Sequence, residues 1–195
     1  MTTVEDDQPP LAALDVDADA LPPSDTATAT FGMGCFWGPD ARFGAMDAVV
    51  RTRVGYAGGT EPDPSYYSLG DHTEVVQVEY DPATLGYDDL LEVFFATHDP
   101  TQLNRQGPDV GSQYRSIVLH HDDEQRRQAE AYVEALDEEY DDDVVTEIES
   151  LERFWAAEEY HQDYFEKNPN DAYCRMHAQP KVEKVRERFA SKVSQ

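Results

Sequence analysis

The order in which hydrophobic periods succeed one another limits this chain to few folds. A β-prone run, "TATATFGMG", leads through Pro39, suited to a first helical turn, into "ARFGAMDAVV", where Phe43, Met46 and Val50 recur at helical spacing. "VVRTRVGYAGG" then reads as a strand ending in paired glycines, and the loop "TEPDPSYYSLGD" follows. In "TEVVQVEYDP", Val76, Val78 and Tyr80 alternate with Gln77 and Glu79, which predicts a half-buried strand stopped by Asp81-Pro82. "YDDLLEVFFATHDP" places Leu90, Leu91, Phe94 and Phe95 on one helical face and ends at Asp99-Pro100. "SQYRSIVLHH" predicts a strand, "DDEQRRQAEAYVEALDEEY" an amphipathic helix and "VVTEIES" a further strand; "AAEEYHQDYFEK" and "PKVEKVRERFASKV" predict closing helices. The succession β-α-β-β-α-β predicts an α+β two-layer sandwich: a split βαβ (ferredoxin-like) core sheet, helices packed on it, and an irregular C-terminal segment.

Residues 1–28 do not share this patterning. They hold seven acids, no Lys or Arg, and Pro9, Pro10, Pro22 and Pro23, a composition unable to bury enough apolar surface to order itself. The expected organisation is a disordered acidic leader over 1–28 and one domain over 29–195. The leader lacks a basic start and an apolar core, so it is no signal peptide, and no apolar run approaches the roughly 18 to 20 residues that cross a bilayer. These features predict a cytoplasmic protein.

Fifteen basic against 41 acidic residues give a net charge of −26. Nucleic acid and anionic membranes would repel such a surface. The acids are spread along the whole length, as suits a solvated surface in a salt-rich cytoplasm, and predict a halophilic source. Two cysteines in a cytosolic chain point to catalytic or redox chemistry more than to a structural disulfide.

One of the two lies in "GMGCFWG". A thiol at the first turn of a helix meets unsatisfied backbone N–H groups and the positive end of the helix dipole, which predicts a lowered pKa for Cys35. Phe36 and Trp37 can wall a pocket for a small uncharged group, such as a methyl. A packed core cysteine with aromatic neighbours is the plainer alternative, but Gly32, Gly34 and Gly38 suit close backbone approach better than a plain core. Cys174 and His177 are spaced C-x-x-H and His120-His121 follow a strand, yet no four-ligand zinc spacing results, so no metal site is expected. No phosphate-loop fingerprint is present, and Tyr160 and Tyr164 read as a packing face.

"GMGCFWG", "GYAGG", "PDPSYY", "GDHTE", "HDPTQLNRQGPDVGSQYRS", "AEEYHQDYFEKNPN" and "YC" occur here in the order seen in the A-type peptide methionine sulfoxide reductases, which this chain resembles from about residue 30 to 174. The resemblance implies a thiol-dependent, S-epimer-specific reductase that repairs oxidised methionine. Cys35 would be the nucleophile and pass through a sulfenic acid. Phe36 and Trp37 would hold the substrate methyl, and Glu74 would protonate the sulfoxide oxygen, although read alone it is an outward-facing strand residue. Tyr66, Asp109 and Tyr114 would orient that oxygen, with Tyr173 near the same pocket.

The family often carries a Gly-rich tail with another cysteine after this point; this chain has no third cysteine. Cys174 would then resolve the sulfenic acid as a Cys35–Cys174 disulfide. The resemblance further implies no cofactor beyond an external thiol, a thioredoxin-type donor as partner, oxidised proteins or free methionine sulfoxide as substrates, and a monomer. Two readings from other classes stand beside it: a cysteine hydrolase with His98 or His161 as base, and a non-catalytic pocket for apolar side chains.

Overall fold

A computed structural model describes residues 25–193. Its architecture is α+β: one six-stranded mixed sheet with helices, beside a short two-stranded hairpin. In chain order come β1 (Ala27–Gly32), α1 (Trp37–Gly44), β2 (Val49–Ala57), β3 (Thr73–Tyr80), α2 (Tyr87–Ala96), the hairpin β4 (Arg105–Gln106) and β5 (Asp109–Val110), and β6 (Ile117–His120). There follow α3 (Asp123–Asp137), β7 (Glu147–Ser150), β8 (Phe154–Ala156), α4 (Tyr164–Lys167) and α5 (Gln179–Arg188). The sheet order is β7-β6-β1-β3-β2-β8, with every neighbouring pair antiparallel except β6 and β7.

One face of the sheet carries the main core. Phe31 of β1 stacks on Phe43 of α1, Tyr87 and Phe94 of α2 at centroid distances of 5.5, 6.0 and 5.0 Å. Val185 and Phe189 at the C-terminal end join the same cluster. The opposite face holds a smaller cluster of Ala57, Val75, Ile117, Leu119 and Phe154. Strand β3 is therefore buried along its whole length, which corrects the expected half-buried strand. Two of its polar residues are held by partners: Gln77 Oε1 accepts from Arg53 at 3.3 Å and Glu79 Oε1 from Thr26 at 2.9 Å.

Other expectations shift at element ends. Helix α1 stops at Gly44, and Val50 belongs to β2. Only Ile117–His120 of "SQYRSIVLHH" is strand; Ser112–Tyr114 form a 3₁₀ turn. The helix expected over "AAEEYHQDYFEK" is broken into a 3₁₀ turn at Glu159–His161 and the short α4, with Asp163 between them at φ 54°. Strand β8 and the hairpin were not anticipated. The proposed leader lies outside the described residues up to 24, and Ala27 and Thr28, assigned to it from sequence, pair in β1 with Tyr80 and Glu79.

Antiparallel pairing around β1 decides where a site can form. The C-terminal end of β1 lies beside the N-terminal ends of β3 and β6 and, one strand further, the C-terminal end of β2. The turns leaving and reaching these four ends meet at one edge of the sheet.

Candidate active site

Cys35 lies in the turn between β1 and α1, half-buried. Gly34 just before it adopts φ +99°, and a Cβ there would fall 2.9 Å from the Gln106 side chain, so this turn needs glycine on two counts. Phe36 is buried, with its ring 5.8 Å from that of Tyr56 and 5.1 Å from that of His161. Trp37 stacks on Tyr164 at 3.8 Å, meets Tyr173 edge-on at 5.9 Å, and donates its indole N–H to His161 Nδ1 at 3.0 Å.

Glu74 enters from the first residues of β3, opposite Tyr56 on β2, and is only 1% exposed. That position corrects the outward-facing reading. Its Oε1 accepts the Phe36 backbone N–H at 3.2 Å, and the Tyr114 hydroxyl bonds to the same carboxyl group. Burial foremost lifts Glu74 to about 8, with the Asp109 charge adding to the rise and the Phe36 and Tyr114 donors opposing it. The carboxyl is therefore mostly protonated at neutral pH.

Tyr66 sits half-buried with its ring 4.5 Å from His161, whereas neighbouring Tyr67 is 90% exposed. Tyr173 donates its hydroxyl to Asp109 and reaches the Cys35 sulfur as well. Cys35, Phe36, Trp37, Glu74, Tyr66, Asp109, Tyr114 and Tyr173 thus come from six stretches of chain to one place.

The thiol itself corrects the sequence expectation. Burial first, then the Glu74 charge, hold the Cys35 pKa well above its ordinary value; the Trp37 N–H and the Tyr173 hydroxyl pull the other way and do not win. The helix terminus is present, but it is outweighed.

Glu158 went unread in the sequence, and His161 was read only as a possible hydrolase base. Glu158 accepts from the Tyr56 hydroxyl at 3.1 Å and from the Tyr66 N–H at 3.3 Å, and His161 is fully buried among Phe36, Trp37, Tyr66 and Tyr160. The segment "AEEYHQDYF" was legible as a motif, yet helical spacing drew attention to its tyrosines instead. His161 serves Trp37, and His98 bonds Phe94 O at 2.5 Å and Ser116 Oγ at 2.7 Å, so both candidate hydrolase bases have other partners.

Cys174 is fully buried and opens a π-helical turn, Cys174–Ala178. Its N–H donates to Asp171 Oδ1 at 3.1 Å, while Asp171 Oδ2 accepts the Tyr164 hydroxyl at 3.0 Å. Burial, then Asp171, raise its thiol to about 11. Both cysteines are free thiols. Among the described residues no three His, Cys, Asp or Glu side chains are grouped as a metal would require.

The model of the peptide methionine sulfoxide reductase family matches residues 27–193. The chain belongs to this family. It is 66% identical over 171 residues to a peptide methionine sulfoxide reductase of Haloquadratum walsbyi, covering 86% of this chain and 98% of that one. Among solved structures, reduced Mxr1 of Saccharomyces cerevisiae is similar with a TM-score of 0.74 at 36% identity, covering 80% of this chain and 92% of that one. Mxr1 in complex with Trx2 is similar with a TM-score of 0.55 at 25% identity, covering 78% and 90%. A methionine sulfoxide reductase with a halophilic relative accounts for both the cysteine pocket and the acidic surface, and no helix among the described residues is long and apolar enough to cross a membrane.

Proposed function

We propose that this peptide-methionine (S)-S-oxide reductase places the sulfoxide oxygen between Glu74, Tyr66 and Tyr114, and the methyl group against Phe36 and Trp37. Cys35 attacks the sulfoxide sulfur, Glu74 protonates the departing oxygen, and the oxygen ends on Cys35 as a sulfenic acid while methionine leaves. Cys174 then attacks that sulfur, expelling water and leaving a Cys35–Cys174 disulfide for a dithiol to reduce. The observation that carries this reading is a buried carboxyl raised to about 8 and bonded to the backbone beside the nucleophile.

The relative solved in complex with Trx2 supports a thioredoxin-type donor. Two free thiols suit a reducing cytoplasm. The order β6-β1-β3-β2, antiparallel throughout, supports the split βαβ reading of the core, and the shared apolar cluster joining β1 to α1, α2 and the C-terminal helix supports one reductase domain over 29–195.

The test is turnover of separated R and S sulfoxide epimers with dithiothreitol. The S epimer alone should be reduced, and Cys35→Ser should leave less than about 1% of the rate, since a hydroxyl is a far weaker nucleophile toward sulfur. Reduction of the R epimer, or a surviving Cys35→Ser activity, would overturn the assignment.

A further inference from the structure

Behind Cys35, on the side lined by the C-terminal segment, lies a cavity of about 210 Å³. Arg42 of α1 and Lys181 of α5 both line it, with Cys35 at its wall. Arg42 is 2% exposed. Its Nη1 donates to Thr97 O at 2.8 Å and Thr97 Oγ1 at 3.0 Å, and its Nε has no hydrogen-bond partner among the described residues. Its Nη2 lies so close to Gly38, in the first turn of α1, that a Cβ there would fall 2.8 Å away and push the guanidinium aside. Among the described residues neither cation has a carboxylate within ion-pair distance.

In a chain with 41 acids against 15 bases, two unpaired cations side by side in a cavity need an explanation. A buried charge without a counter-charge is strongly unfavourable. Burial foremost, then the Arg42 charge, bring Lys181 to about 8, and burial brings Arg42 to about 10. Both also respond to a negative charge on Cys35, which places them within electrostatic range of its sulfur.

The remaining groups around the sulfur oppose ionisation or are neutral. Glu74 of β3 and Asp109 of β5 raise the thiol, and Tyr173 donates to it. Tyr66, Tyr114 and Tyr164 lie within its field from the loop after β2, the 3₁₀ turn before β6 and α4, and His177 lines the same cavity. Asp109 also lines the cavity and its charge raises Lys181, but it is not within ion-pair distance of either cation, while Glu74 is not among the residues lining that cavity.

We propose that Arg42 and Lys181 are positioning residues for the nucleophile: their charges, across the cavity, stabilise the Cys35 thiolate that must form beside two carboxyl groups. This rests on Cys35 being the reacting thiol. It deepens the proposed function by naming what counters the buried acids when the proton leaves.

Cys35 alkylation by iodoacetamide as a function of pH tests it without substrate, so it reads the thiol even if the sulfoxide is not the substrate. In the Cys174→Ser background Cys35 is the sole thiol of the chain. Lys181→Met should raise the midpoint of the pH profile by about half a unit or more, slowing alkylation at pH 7 roughly threefold, and Arg42→Met should do at least as much. Lys181→Arg should restore the parental profile. Should Arg42→Met fail to fold, the half-exposed Lys181 pair decides alone. An unchanged midpoint in Lys181→Met, or the same rise in Lys181→Arg, overturns the proposal.

Discussion

Glu74 shows how much one side chain's environment can decide. A carboxyl raised to about 8 by burial carries a proton at physiological pH, and folding has made it an acid without changing its identity. Glu74→Gln should therefore slow the chemical step by roughly 100-fold, and the single-turnover rate of the parent should lose its proton-donor limb as pH rises through about 8. Rapid-quench measurement of methionine released per enzyme checks both; a parental rate in Glu74→Gln would mean the oxygen takes its proton elsewhere. At this scale the sequence was legible where neighbours along the chain set the chemistry. Phe36 and Trp37 follow Cys35 directly and pack in the aromatic cluster beside it, against Tyr56 and Tyr164. It was misleading where neighbours across the sheet set it. The Cys35 pKa depends on Glu74, 39 positions away and delivered by the β1–β3 pairing, which no local window contains. Glu158, and the tie of His161 to Trp37, were missed for the same reason, since the partners Trp37, Tyr56 and Tyr66 lie about 90 to 125 residues distant.

Among the elements, α1 links the site to the rest of the protein. Its sequence suggested a helix running to Val50, because Phe43, Met46 and Val50 fit a 3.6 period; the β2–β3 ladder competes for the same residues and takes them from Val49 onward. Strands with internal alternation were legible, while β8 and the hairpin β4–β5, two or three residues each, are set by pairing partners alone. Inside α1 a buried carboxylate ties the helix to the far end of the chain. Asp40 accepts from Thr52 Oγ1 at 2.5 Å and from the Asp163 N–H at 3.0 Å, and burial foremost raises it to about 6. A raised carboxyl favours the fold while protonated, so its contribution is complete below about 4 and is lost as pH climbs through about 6. Asp40→Asn, which keeps an acceptor for Asp163 and carries no charge, should then be more stable than the parent at pH 8, by up to about 3 kcal/mol, with the gap closing near pH 4. Urea unfolding of both chains at the two pH values measures it. An Asn variant that is equally destabilised at both would show that the hydrogen bonds outweigh the charge.

For the molecule as a whole, self-repulsion sets the dependence on salt. A net charge of −26 opposes compaction, and the screening length falls from about 10 Å at 0.1 M to about 3 Å at 1 M salt. The melting temperature should rise steadily from low to molar KCl; a flat or falling curve would contradict the halophilic reading. The acidic surface was legible at once from composition, as was the order of the larger elements. What composition could not reveal is how unevenly the two cysteines are anchored. Strand β3, hydrogen-bonded on both sides and covered on both faces, holds Glu74, and β1 beside it leads into Cys35. Cys174 begins a five-residue π turn at the margin, fastened through Asp171. Amide protons of β3 should be among the last to exchange with solvent, and those around Cys174 among the earlier. Loosening under mild denaturant would accordingly begin at Cys174, the thiol proposed to recycle, and spare Cys35, the thiol proposed to accept oxygen, and on that proposal the molecule would still take one oxygen atom and then stop.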